Sequence, residues 1–192
     1  MAERLDCTNS HGITIGSIWY DDVTNVTYRD CVLHKLHAGP RIKGREQGNA
    51  TISDIHFENI RLDNVEQAIQ IQMTYETPGS KAKNIGCTAT GVTYKNITGT
   101  ATSHGMHTAG SLSCLPTRPC EQIVMEDIHI DVTAATAATA AAAAPEELTR
   151  RRRKKKPPAP WECDSAHVAS QGTVEPPLPA SCTKAKDNES NE

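Results

Sequence analysis

The sequence predicts an all-β solenoid, in which short strands stack in parallel and the chain completes one rung about every thirty residues. Three observations support this fold class: a repeated segment, alternation of apolar and polar residues within each repeat, and a shortage of aromatic side chains. Aromatic residues make up 4% of the 192 residues, with a single Phe, so a core must be built from Ile, Val and Leu. Branched aliphatic side chains of this kind suit stacked strands.

The repeated segment occurs four times between residues 25 and 129. Each copy alternates apolar and polar residues, as a half-buried strand does, and then places Asp or Asn before Cys or Ile. The copies are residues 25–32 (NVTYRDCV), 52–61 (ISDIHFENIR), 89–98 (ATGVTYKNIT) and 121–129 (EQIVMEDIH). The aligned polar residues, which are 29, 37 and 31 positions apart, are Asp30, Asn59, Asn96 and Asp127. Recurrence at such a period is typical of a solenoid.

Two interpretations of these aligned Asp and Asn residues remain open. Both residue types bond to nearby backbone and tolerate left-handed backbone angles, so they favour a turn between strands. In a stack of rungs, Asn59 and Asn96 would in addition be close enough to form a ladder of side-chain hydrogen bonds.

A second strand is predicted once per repeat. Residues 40–43 (PRIK) and 69–72 (IQIQ) align at a spacing of 29, counted from Ile42 to Ile71. A helical solenoid is the alternative, but it requires apolar residues at i, i+3 and i+4 over a dozen positions. That pattern is absent before residue 133.

The composition changes at residue 133, which divides the chain. We expect β-helical rungs over residues 1–132 and a disordered insertion rich in Ala, basic residues and Pro over 133–160. A cysteine-bounded cap is expected over 161–182, and a polar, disordered tail over 183–192. The basic run 150–156 resembles a nuclear localisation signal or a polyanion-binding patch. A solvated insertion, or an error of gene prediction, is the alternative there.

Charge and cysteine content restrict the class of protein. With 20 Lys+Arg, 23 Asp+Glu and a net charge of −3, the chain does not have the basic character of a nucleic-acid binder. No apolar run is long enough to span a membrane. The seven cysteines form no C-x-x-C pair and match no zinc spacing, so we predict no metal site and no cofactor. Disulfides in an oxidising compartment are expected instead.

Secretion is also indicated by glycosylation triplets. N-x-S/T acceptors are predicted at Asn25, Asn49 and Asn96, and a further triplet begins at Asn188. The first residues, 1–7 (MAERLDC), contain no hydrophobic segment of a signal peptide. We therefore expect that the chain is N-terminally truncated, since a secreted composition without a signal is otherwise inconsistent.

The spacing of three side chains predicts a binding groove. His11 lies 30 residues before Arg41, which lies 34 residues before Tyr75. Because neighbouring rungs are about 4.8 Å apart, these residues are expected on one face within about 10 Å. Lys43 shares this face with Arg41, two positions away, while Ile42 points into the core. A cationic groove with an imidazole and an aromatic edge suits an anionic polymer, since Arg binds both oxygens of a carboxylate.

These strings resemble a known family. Residues 11–17 (HGITIGS), 25–27 (NVT), 41–43 (RIK) and 71–75 (IQMTY) are similar, in order and spacing, to the polygalacturonases of glycoside hydrolase family twenty-eight. The loop 114–120 (CLPTRPC) and the closing strings 161–163 (WEC) and 179–182 (PASC) resemble the fungal-type C-terminal disulfides. The family usually has Gly before the His-Gly pair, where this chain has Ser10.

The resemblance implies a fold, a reaction and site residues. The fold is a right-handed parallel β-helix, and the expected protein is a secreted monomer whose substrate is pectin or polygalacturonate. His11 matches the active-site histidine, Arg41 and Lys43 match the clamp for the substrate carboxylate, and Tyr75 matches a subsite tyrosine. The implied disulfides are Cys114–Cys120 and Cys163–Cys182. Cys7 would lack its usual partner. Cys31 and Cys87 are left over, and they are expected to be buried thiols because each occupies an apolar position of its repeat.

The implied reaction is inverting hydrolysis of α-1,4 bonds, which requires an acid and a water-activating base. In the family these carboxylates belong to an Asn-Thr-Asp motif and an Asp-Asp pair, both upstream of the His-Gly segment. Neither is present here, since Asp21 and Asp22 follow His11 and are expected in a solvated turn. The isolated chain is therefore predicted to be inactive. A non-catalytic β-helix that binds pectin is the alternative.

Overall fold

The computed structural model describes residues 1–76, 85–103, 109–134 and 159–183. The described residues form twelve strands, followed by one helical turn, α1 (Ala180–Thr183). The strands are β1 (Ala2–Glu3), β2 (Asp6–Thr8), β3 (Thr14–Ile18), β4 (Val23–His34), β5 (Arg41–Arg45), β6 (Thr51–Val65), β7 (Ile69–Tyr75), β8 (Thr88–Ser103), β9 (Gly110–Ser113), β10 (Cys120–Ala134), β11 (Trp161–Asp164) and β12 (Ala166–Glu175). No helix in the described part of the chain has the length and apolar character needed to cross a membrane.

Two parallel sheets contain all of these strands. The long sheet has the order β1-β4-β6-β8-β10-β12, with β2 also paired to β4, and the short sheet has the order β11-β9-β7-β5-β3. The long-sheet strands β4, β6, β8 and β10 are each followed by one strand of the short sheet, so each pair closes one rung and the next pair stacks on it. This arrangement confirms the predicted parallel β-helix, with Ile42 opposite Ile71 as their spacing indicated.

The aligned Asp and Asn residues bend the long strands. Asp30, Asn59, Asn96 and Asp127 all adopt left-handed φ angles between 51° and 57°. Nδ2 of Asn59 donates to Oδ1 of Asp30 at 2.9 Å, and Nδ2 of Asn96 donates to Oδ1 of Asn59 at 3.0 Å. Both interpretations offered by the sequence are therefore correct, since the same side chains turn the backbone and form a ladder.

A second column of bends was not predicted. Asn25, Asp54, Gly91 and Gln122 also have left-handed φ angles, from 54° to 61°, and adopt them at equivalent places in β4, β6, β8 and β10. Because four different residue types occupy this column, comparison of the repeats does not reveal it. The strands β4, β6, β8 and β10 are thus each bent at two places, which lets them curve around the core.

Columns of apolar side chains fill the space between the sheets. Phe57 is fully buried and stacks between Tyr28 and Tyr94, with ring centroids 5.7 Å and 5.2 Å apart and planes within 9° of parallel. Such aromatic pairs add about 1 kcal/mol each to the stabilisation from burial. Cys31 occupies the column of Ile60, and burial raises the pKa of its thiol. It packs as an apolar residue, as its place in the repeat indicated.

The segment expected to be a cap adds strands to the solenoid. β11 pairs in parallel with β9, and β12 pairs in parallel with β10, so both sheets continue through this segment. The Cys163–Cys182 disulfide then ties α1 to β11. Residues 135–158, which are most of the expected insertion, lie outside the described residues, and so does the tail from residue 184. In the sequence, the insertion falls between β10 and β11.

Candidate functional site

The outer face of the short sheet carries the predicted groove residues. In β3, β5 and β7 the apolar residues Ile15, Ile42 and Ile71 are paired in register and buried in the core. Because side chains alternate along a strand, their neighbours point outward. Arg41 thereby lies between Thr14 and Gln70 of the adjacent strands, and Lys43 lies between Gly16 and Gln72.

These outward residues line an open groove of about 680 Å³. The groove contains all four residues that the sequence singled out: His11, Arg41, Lys43 and Tyr75. It also contains His37 and Gln72, which the sequence did not single out for this site. No Asp or Glu is among its lining residues in the described part of the chain. The groove is thus cationic, with hydroxyl and amide groups beside the charges.

Arg41 lies at the floor of the groove. Its surface is only 8% exposed, and this burial lowers the pKa of the guanidinium. Arginine remains charged nonetheless, because a guanidinium keeps its proton in proteins at any physiological pH. Nη2 donates to Oε1 of Gln72 at 2.9 Å, whereas Nε is buried without a partner among the described residues. A largely buried cation at the floor of a groove is well suited to an anionic ligand, because pairing offsets the cost of burial.

Tyr75 organises the other cations of the site. Nζ of Lys43 lies 3.4 Å from the centroid of the Tyr75 ring, and Cζ of Arg45 lies 4.2 Å from the same centroid. Arg45 also lies 5.0 Å from the centroid of the Trp19 ring. Tyr75 reaches these side chains because a register shift between β5 and β7 places it opposite Arg45. Cations held over aromatic faces in this way are restricted in position.

His11 is in the expected rung but in a different register. The backbone N–H of Arg41 donates to the carbonyl of Ile13, so Arg41 is adjacent to the start of β3 and not to His11. His11 instead neighbours His37, whose ring centroid is 6.0 Å away. The spacing of 30 identified the correct rung, but it did not allow for the turn that precedes β3.

His37 is held by a carboxylate from the next rung. Its Nδ1 lies 2.7 Å from Oε2 of Glu66. In the sequence, His37 lies 26 residues after His11 and 29 residues before Glu66, and each separation is about one rung. These separations were the sequence signal that could have placed His37 in the site.

The remaining predicted residues lie outside the groove. The structure contains both expected disulfides, Cys114–Cys120 and Cys163–Cys182, with Cα atoms 5.8 Å and 5.1 Å apart. The other cysteines, which are free thiols, are Cys7, Cys31 and Cys87. Asp22 accepts a hydrogen bond from the backbone of Thr51 at 2.7 Å, which agrees with a structural role in a turn.

The expected glycosylation acceptors Asn25, Asn49 and Asn96 are all exposed. Asn25 and Asn96 stand at left-handed bends, and the amide of Asn96 donates to Asn59 in the ladder. Glycosylation at these positions stays a prediction.

Fold and groove together define a parallel β-helix with a cationic surface across its short sheet. Residues 1–148 match the family described as glycosyl hydrolases family 28, and the chain belongs to this family. An exopolygalacturonase of Zea mays is 37% identical over 141 residues, which are 66% of this chain and 32% of that protein. A polygalacturonase of Brassica napus is 33% identical over 141 residues, covering 69% of this chain and 35% of that protein. The chain thus spans about a third of the length of these relatives.

Proposed function

We propose that this chain is the substrate-binding part of a polygalacturonase, which hydrolyses α-1,4 bonds between the galacturonate units of pectin. The observation that carries the proposal is the pair of groove cations: Arg41, buried at the floor, and Lys43, two positions along the same strand. Every unit of polygalacturonate bears a carboxylate, and a guanidinium binds both oxygens of one carboxylate. Polygalacturonase relatives from plants and a fungus give further support.

Each side chain of the groove has a role in this proposal. Arg41 and Lys43 bind substrate carboxylates, and Tyr75 holds Lys43 in place while offering its ring to a sugar. His11 is close to the reacting bond, and its hydrogen bonds orient a sugar unit there. Gln72 keeps the guanidinium of Arg41 directed across the groove through its hydrogen bond to Nη2.

Hydrolysis itself is assigned to a longer parent protein. An inverting glycosidase needs two carboxyl groups about 6.5 to 9.5 Å apart, one as acid and one as base. The sequence contains no Asn-Thr-Asp motif, and its single Asp-Asp pair, Asp21 and Asp22, does not line the groove. We therefore propose that the catalytic carboxylates belong to residues outside this sequence and that the 192-residue chain alone is inactive.

An assay on the purified chain tests both halves of this proposal. The chain is incubated with sodium polygalacturonate, retention is measured by pull-down on immobilised polymer, and hydrolysis is measured as released reducing ends. The expected result is retention without reducing ends. Steady release of reducing ends that scales with protein concentration would contradict the assignment of catalysis to another part of the protein.

The groove without carboxylates also favours a second candidate, a non-catalytic protein that binds pectin. The same assay does not separate this candidate from an enzyme fragment, but the genomic DNA upstream of the codon for Met1 does. Coding segments for an Asn-Thr-Asp motif and an Asp-Asp pair in one reading frame with this chain are expected for the enzyme. Their absence from transcripts that contain this chain would favour the binding protein.

An extracellular location is part of the proposal. The two disulfides support it, because disulfides persist in oxidising compartments. The protein in its native cells is expected in the medium or cell wall, and treatment with an N-glycosidase is expected to lower its mass. Retention in the nucleus would instead favour the reading of residues 150–156 as a nuclear address.

A further inference from the structure

A row of three side chains crosses the end of the short sheet at which its strands begin. The backbone N–H of His37 donates to the carbonyl of Ser10 at 3.2 Å, which brings His37 beside His11. The backbone N–H of Glu66 donates to the carbonyl of Leu36 at 2.9 Å, which brings Glu66 beside His37. His11, His37 and Glu66 therefore come from three successive rungs, and the two imidazoles line the groove.

The contact with Glu66 fixes the orientation of the His37 ring. Nδ1 lies 2.7 Å from Oε2 of Glu66, and an ionised carboxylate only accepts hydrogen bonds, so Nδ1 carries a proton in either charge state of the ring. Nε2, on the far side of the ring, makes no hydrogen bond to the residues described in the structure. The ring contacts His11 edge to face, with an angle of 83° between the planes. Nε2 is thus the atom of His37 that a ligand can use.

We propose that His37 is a second substrate-contacting imidazole of this groove, which donates Nε2–H to a sugar carboxylate when the ring is protonated. Glu66 acts as a positioning residue, because it holds Nδ1 and favours the positive charge of the ring. This inference rests on the proposed function, since it takes polygalacturonate as the ligand. It extends the cationic surface from Arg41 and Lys43 to the His11 end of the groove.

The inference predicts a pH dependence of substrate binding. The charged and titratable groups nearest to His37 are the carboxylate of Glu66, the imidazole of His11 and the groove cations Arg41 and Lys43. Lys35 lines a neighbouring depression together with Glu66 and is a further positive group close to this carboxylate. A bound sugar carboxylate adds a second negative neighbour, so binding and protonation favour each other. Because histidine changes its charge between about pH 5 and pH 8, affinity is expected to rise as the pH falls through that range.

The experiment measures the dissociation constant of trigalacturonate for the full chain by titration calorimetry at about pH 5 and about pH 8, at one ionic strength. His37→Gln is expected to weaken binding about fivefold to tenfold at the lower pH, as for the loss of one typical hydrogen bond, and to match the wild type at the higher pH. Glu66→Gln keeps an acceptor for Nδ1 but removes the charge. It is expected to move the transition in affinity to lower pH.

A matched control is available in the same region of the fold. His34 has the same kind of contact, with Nδ1 2.9 Å from Oδ2 of Asp63, but it does not line the groove. His34→Gln is expected to leave the pH profile of binding unchanged. Thermal unfolding of each variant shows whether the fold is intact.

The possible outcomes separate this inference from the function on which it rests. Wild-type affinity of His37→Gln at both pH values would overturn the inference while leaving polygalacturonate binding in place. Equal losses at both pH values, together with a lower unfolding temperature, would indicate a structural role and would also overturn it. Failure of the wild-type chain to bind at either pH would remove the proposed function and this inference with it.

Discussion

Nζ of Lys43 lies 3.4 Å from the centroid of the Tyr75 ring, so an aromatic face from one rung holds a cation from the previous rung. The flexible ammonium of lysine is otherwise free to sample many positions. Fixing it in advance lowers the entropy lost when a ligand binds. Tyr75 also contacts the guanidinium of Arg45, so one ring organises two cations.

This contact predicts the effect of replacing Tyr75. Tyr75→Ala is expected to weaken trigalacturonate binding roughly threefold to tenfold, the range expected for a cation–aromatic interaction. Tyr75→Phe retains the ring and is expected to bind nearly as well as the wild type. Calorimetric titration measures both. Tyr20, which is 55% exposed and lies outside the groove, provides the control variant Tyr20→Ala. Equal losses for the Ala and Phe variants would assign the effect to the hydroxyl and not to the ring.

The ladder of bends predicts a difference between two substitutions at Asn59. Asn59 adopts a φ angle of 53°, donates a hydrogen bond to Asp30 and accepts one from Asn96. Asn59→Gly keeps the left-handed bend but removes the side chain, and is expected to lower the free energy of unfolding by about 1 kcal/mol. Asn59→Ala is expected to lower it by about 2 to 3 kcal/mol, because a Cβ strains the left-handed conformation. Urea unfolding followed by circular dichroism measures both values. Identical losses would show that the bend imposes no strain.

Acid is predicted to weaken the first strand pairing of the solenoid. Nε of Arg29 in β4 donates to Oε2 of Glu3 in β1 at 2.7 Å, and this hydrogen bond lowers the pKa of the Glu3 carboxyl. A carboxyl whose pKa is lower in the folded state than in the unfolded state stabilises the fold at pH values above its unfolded-state pKa. That contribution is lost as the pH falls through the folded-state value.

Glu3→Gln is therefore expected to lower the urea midpoint at about pH 7 and to have a smaller effect at about pH 2.5, because the contribution of the wild-type carboxylate is lost as the pH falls. The change at neutral pH is expected to be small, since both side chains are partly exposed to solvent. A variant that is equally destabilised at both pH values would show that Glu3 acts through packing and not through its charge.

The features of the fold that recur with the same residue type in each repeat could be predicted from the sequence. The bends at Asn59 and Asn96, the buried Ile column of the short sheet and the pairing of Ile42 with Ile71 all follow from the repeat. The bends at Gly91 and Gln122 were missed, because different residues satisfy the same backbone angle. The register between neighbouring strands depends on such local bends, and the spacing of residues in the sequence does not reveal them.

The same limit applies to the site. Arg41 and Lys43 were placed correctly, because two positions along a strand return to the same face. His37 was missed because it lies in a turn, where no alternation relates it to the strands, and only its contacts with His11 and Glu66 identify it. Tyr75 was expected in the groove, but its place opposite Arg45 depends on a register shift in β7.

The central claim is that Arg41 and Lys43 bind the carboxylates of polygalacturonate, and titration calorimetry with trigalacturonate tests it most directly. Arg41→Met and Lys43→Met keep the aliphatic length of each side chain and remove the charge. Arg29→Met removes a cation of the long sheet and is the control. The account predicts that Arg41→Met weakens binding at least about tenfold, as for the loss of charged hydrogen bonds, while Arg29→Met changes it less than about twofold. Unchanged binding by a folded Arg41→Met chain would contradict the account.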